Sequence, residues 1–178
     1  MRWVFFMLLA YLAIVVQTSL AAVLAVPSDA LGMNIRPDLL IAVAVFISLR
    51  VRAGTDAVLA GWVLGLLMDL TTINTPIGMY AITFALAAAV VYRTRDAVFT
   101  DNPLTQFVLG LVCCLLAQGA AVLFANLAVR DSSWRLWREL AGVLLVAVYT
   151  AIATPVLCWL LRPAARALFV QPVGRGRW

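Results

Sequence analysis

The sequence predicts an all-α membrane protein, one integral domain over residues 1–178 with six transmembrane helices. Composition is the first reason. Of 178 residues, 65% are hydrophobic and 12% charged, whereas soluble domains run near 45–50% apolar and about 25% charged. Mean hydropathy is +1.05. The second reason is distribution: the apolar residues fall into six blocks, the longer of which exceed what an ordinary core helix needs.

The first block runs from Trp3 to Val26, roughly 36 Å of helix against a hydrocarbon layer of about 30 Å. A cleaved signal peptide is the rival reading, but the apolar stretch is too long and no A-x-A triplet precedes Pro27. The second block, Leu39 to Leu49, opens on Pro37 and Asp38, which suit a helix's first turn, and ends at Arg50 and Arg52. The third, Ala57 to Leu70, is interrupted by Asp69. The fourth, Ile77 to Tyr92, follows Pro76 and stops at Arg93 and Arg95. The fifth spans about Leu104 to Val129 and the sixth about Leu140 to Leu161, where Thr154-Pro155 predicts a kink. Between Arg36 and Arg50 there is room for only roughly 20 Å of helix. So short a helix is best placed among others, which groups blocks two to four and sets one, five and six around them. The stretch Arg130–Glu139, with Trp134 and Trp137 among arginines, reads as a short segment at the membrane interface.

Arginine placement orients the chain. Six crossings with the N-terminus inside put nine arginines in the cytoplasm (Arg2, Arg50, Arg52, Arg93, Arg95, Arg162, Arg166, Arg175 and Arg177) and four outside. A five-crossing chain with block two re-entrant gives the same ratio, exchanging Arg2 for Arg36. Arg2 beside the α-amino group favours six, with both termini cytoplasmic. The basic tail from Arg162 reads as an orientation signal that also touches anionic lipid headgroups.

Composition also removes reaction classes. With no histidine and no lysine among the 13 basic residues, the chain holds no Ser-His pair, no imidazole metal site and no P-loop lysine. Cys113, Cys114 and Cys158 lie inside apolar blocks without a C-x-x-C pair and read as small packing residues. Asp69 has no second carboxylate at its depth with which to share a proton. The arginines are scattered between blocks, unlike a nucleic-acid footprint. No enzyme, cofactor or metal is expected.

The third block is the most informative. Gly61-Trp62-Val63-Leu64-Gly65 is a G-x-x-x-G motif, extended at the same four-residue spacing by Ala57 and Asp69. Gly61, Gly65 and Asp69 drift by only about 80° around the helix and share a face. Such a face admits a close helix, from this chain or from a partner. Asp69, the one acidic residue within an apolar block, has three readings. It caps its own turn through Thr71, Thr72 and Asn74, it recognises another helix, or it couples an ion. Gln17, Gln118 and Asn126 suit hydrogen bonds between helices.

The order of these landmarks resembles a known family. Arg36-Pro37-Asp38-Leu39-Leu40 opens a short helix. Gly61, Gly65-Leu66 and Asp69-Leu70 follow, then Thr75-Pro76-Ile77-Gly78 leads into a helix ending at Tyr92-Arg93. This succession, over about residues 36–95, resembles the bacterial rod-shape-determining protein MreD family. Ile77 replaces the usual leucine, and Tyr80 stands where many members have histidine. The resemblance implies a non-enzymatic scaffold of the bacterial inner membrane. It implies pairing with MreC, a single-span protein, and an indirect link to MreB filaments and the elongation peptidoglycan synthases. It also implies a fold similar to the substrate-binding subunits of energy-coupling-factor vitamin transporters, which supplies the alternative function. Ala21 and Ala25, the only A-x-x-x-A pair of the first block, stand at its far end rather than where those subunits carry theirs. The partner-binding or helix-packing residues are then Pro37, Asp38, Gly61, Gly65, Asp69, Pro76 and Gly78. Membrane lipids complete the expected partners, and a homo-oligomer stays open.

Overall fold

The computed structural model describes residues 3–24, 26–28, 33–72, 78–95, 102–128 and 133–163, with side chains for 3–19, 36–72, 78–95, 102–124 and 137–163. Among these are six helices: α1 (Trp3–Leu24), α2 (Leu39–Arg50), α3 (Gly54–Thr71), α4 (Met79–Thr94), α5 (Pro103–Ala128) and α6 (Ser133–Leu160). α3, Pro103–Phe124 of α5 and Trp137–Leu160 of α6 are long and apolar enough to cross a membrane; Trp3–Ser19, α2 and α4 are shorter apolar helices. The chain is a polytopic helical membrane protein.

α2 is the axis of the bundle and packs on all five other helices. Every residue from Leu39 to Leu49 is buried, so this helix has no polar face and needs none. Its one hydroxyl, Ser48, donates to the Ala44 carbonyl at 2.7 Å. Burial on all sides also resolves the length problem, because a helix sheathed in protein need not match the lipid. α3 and α4 form one close antiparallel pair and α5 and α6 another. Gly110 brings the second pair together: a Cβ there would sit 2.5 Å from Thr154 Oγ1. α1 packs chiefly on α2 and turns Val4, Leu8, Tyr11 and Leu12 outward, as a lipid-facing helix does.

The structure shifts two boundaries. α6 begins at Ser133 rather than near Leu140, and α3 at Gly54 rather than Ala57. In both places polar residues mark where hydrocarbon ends, but a helix continues through them because its hydrogen bonds are internal. The stretch expected as an interfacial segment before α6 is therefore, from Ser133 onward, that helix's first turns. In the first connection, Val26–Ser28 (β1) and Met33–Ile35 (β2) pair antiparallel, Val26 opposite Ile35; no alternation in the sequence predicts this ribbon. α6 runs through Pro155, with the Thr154 hydroxyl donating to the Thr150 carbonyl at 2.8 Å. Cys113, Cys114 and Cys158 are free and buried.

Candidate functional site

Six polar side chains converge on one end of the bundle, where α2 and α4 begin. The first backbone N–H groups of a helix have no partner within it, and in an apolar surrounding something must accept from them. At α2 that acceptor is Asp38. It is the N-cap, one residue before the helix, and its Oδ1 accepts from the Ile41 N–H at 3.4 Å. Pro37 consequently lies outside the first turn, buried one residue further out. The reason is reach: a short carboxylate meets the third N–H only from the capping position. The Leu40 N–H is taken by Gln17 Oε1 of α1 at 3.2 Å, and the Asp38 N–H donates to Thr150 Oγ1 of α6 at 2.9 Å.

α4 is capped from another helix. Its N-cap, Gly78, has φ 100°, a left-handed conformation that suits glycine, and offers no side chain. Asp69 of α3 fills the vacancy. Its Oδ2 accepts from the Gly78 N–H at 2.9 Å and the Ala81 N–H at 3.2 Å, and its Oδ1 from the Tyr80 N–H at 3.1 Å. A carboxylate at a helix's positive end is in its most favourable place. Asp69 thus caps a turn, but through α4's backbone rather than the threonines. Thr71 and Thr72 donate instead to the Met68 carbonyl, at 2.9 and 3.0 Å, the back-bonding usual for such residues. Asn74 and Pro76 lie outside the described residues.

The glycine face makes this cap possible. A Cβ on Gly61 would stand 2.7 Å from both the Ala88 Cβ and the Phe84 carbonyl oxygen. One on Gly65 would strike the Tyr80 carbonyl and come within 2.5 Å of the Ala81 Cα. Ala57, Gly61, Gly65 and Asp69 are all buried in α3, and α4 lies along them so closely that Asp69 reaches its first turn.

The two acidic caps are joined through α4 and α5. Tyr80 OH donates to Gln118 Oε1 at 3.0 Å, and Gln118 Nε2 donates to Asp38 Oδ2 at 3.1 Å. Each of the six helices therefore contributes to one polar layer: Gln17, Asp38, Asp69, Tyr80, Gln118 and Thr150. Asp38 and Asp69 are 3% and 4% exposed. Tyr80 and Thr150 were not singled out as site residues from the sequence. Their signal was a hydroxyl in an apolar helix, which demands a partner without saying which. Asn126 falls where side chains are not described. Both carboxylates of the layer are engaged by donors. The carboxylates hold helix ends and are kept apart by Tyr80 and Gln118, unlike a pair that shares a proton.

The opposite end is basic. Tyr92 OH donates to the Arg52 carbonyl at 2.7 Å, Arg95 Nη1 donates to the Val51 carbonyl, and the Arg95 guanidinium lies 4.0 Å from the Tyr92 ring centroid. These contacts tie the α2–α3 turn to the end of α4.

A family model described as rod shape-determining protein MreD matches residues 1–162. The chain belongs to this family. The MreD match takes in all six helices, whereas the sequence resemblance rests on residues 36–95, the segment that supplies Asp38, the glycine face, Asp69 and Gly78. The chain is accordingly a rod shape-determining membrane protein. No curated protein and no solved structure matches it.

Proposed function

We propose that the chain is a non-enzymatic inner-membrane scaffold of the cell-elongation machinery. It pairs with an MreC-like single-span protein and through it serves the peptidoglycan synthases and MreB filaments. The match to the MreD family carries this reading. The polar layer agrees with it, because its acidic groups are engaged in holding helix ends. The chain crosses the membrane six times with both termini cytoplasmic, in keeping with the arginine distribution. The end built by Asp38, Asp69 and Gly78 then faces the periplasm, where the bulk of such a partner lies. Pro37, Asp38 and Asp69 position this surface from beneath, and the exposed residues around them meet the partner.

Depletion in a rod-shaped host tests the reading: cells should round and lateral wall synthesis fall. Normal rods with a vitamin-uptake defect would identify a transporter subunit instead. Labelling of a cysteine placed before Arg2 tests the topology; modification from the periplasmic side overturns six crossings in favour of five.

A further inference from the structure

A cavity of about 280 Å³ opens between α1, the start of α2 and the end of α3. We propose that it seats one anionic phospholipid, the phosphate at Arg36 and the first methylenes of an acyl chain inside. The cavity's lining is mixed in chemistry. Arg36, exposed at the rim, is the only charged residue among the described lining residues. Thr18, Thr71 and Thr72 keep the rim polar, but their hydroxyls already donate to backbone carbonyls of their own helices. Donation to an anion therefore falls to the guanidinium, which presents several N–H groups in a fixed fork. Half-buried Gln17 also lines the cavity, and its Nε2 has only the Met68 thioether, at 3.9 Å, as its described acceptor. Sulfur is a weak acceptor, and an ester carbonyl at that point would be a stronger one. Ile14, Leu40 and Met68 supply the apolar wall.

An exposed guanidinium, a half-buried amide donor and an apolar wall match the phosphate, ester and acyl chain of a glycerophospholipid. The volume is just below the usual small-ligand range of about 300–1,000 Å³. That admits a glycerophosphate and the start of a chain, the remainder continuing along the outward face of α1 at Tyr11 and Val15. The site needs only a leaflet beside it, whichever way the chain is inserted, so it does not rest on the scaffold reading.

The test is native mass spectrometry of the full chain, delipidated in detergent and titrated with phosphatidylglycerol, phosphatidylcholine or glycerol 3-phosphate. Phosphatidylglycerol should bind at about tenfold lower concentration than phosphatidylcholine, and Arg36→Gln should remove that advantage. Arg52→Gln, an exposed arginine at the opposite end, should not. Met68→Trp, which fills the cavity, should weaken both lipids; if it fails to fold, exposed Arg36→Gln still decides. Equal binding of the two lipids, or an unchanged Arg36→Gln profile, overturns the proposal. Glycerol 3-phosphate binding as tightly as phosphatidylglycerol also overturns it, in favour of a soluble anion.

Discussion

Where α2 and α4 begin, backbone N–H groups are met by carboxylates 3% and 4% exposed; just past the end of α2, the Val51 and Arg52 carbonyls are met by Arg95 and Tyr92 from the end of α4. Both ends answer the same need, the unpaired groups of helix termini. They differ in whether water can substitute. At the Arg52 carbonyl, on an exposed residue, a lost donor is replaced by solvent. Within the acidic layer a lost partner leaves a polar group with nothing, at about 1–3 kcal/mol each. The same chemistry is therefore structural within the layer and dispensable at the Arg52 carbonyl.

The comparison predicts a graded series. Gly65→Leu should have the largest effect, because its side chain would meet α4's backbone at Tyr80 and Ala81, which cannot rotate away. Membrane abundance should collapse, with a destabilisation of ~3 kcal/mol or more. Asp69→Asn comes next. It keeps shape and one acceptor but turns an NH₂ toward N–H donors, and should cost ~2–4 kcal/mol, read as a lower unfolding midpoint in detergent. Co-purification of MreC is measured alongside for both variants. Binding that falls while abundance holds places the partner at this end. Loss in step with abundance makes the face purely structural, and normal values for both variants move the partner elsewhere.

The sharpest comparison uses one chemical change at each end. Tyr80→Phe removes the donor to Gln118 Oε1 inside the layer and should cost ~1–3 kcal/mol. Tyr92→Phe removes the donor to the Arg52 carbonyl at the rim, where water replaces it, and should cost under ~1 kcal/mol. Equal shifts in unfolding midpoint for the two would break the distinction between the ends.

Local pattern sufficed for much of this molecule. Apolar runs between arginines located six helices, and the four-residue spacing of Ala57, Gly61, Gly65 and Asp69 put them on one face. Those signals are legible because a helix makes its own hydrogen bonds and a membrane sorts residues by polarity alone. Where polarity and helix part company the reading slips, as at Ser133 and Gly54. Hydrogen-bond partners are of another kind. Tyr80 meets Gln118 across 38 positions, Gln118 meets Asp38 across 80, and Asp38 meets Thr150 across 112. A buried tyrosine or glutamine announces in sequence only that it needs a partner. Which one it finds, and that Asp69 caps α4 rather than its own turn, was decided when the glycine face let α3 and α4 close and α2 drew the other helices around it, since only packing brings distant polar groups within hydrogen-bonding reach.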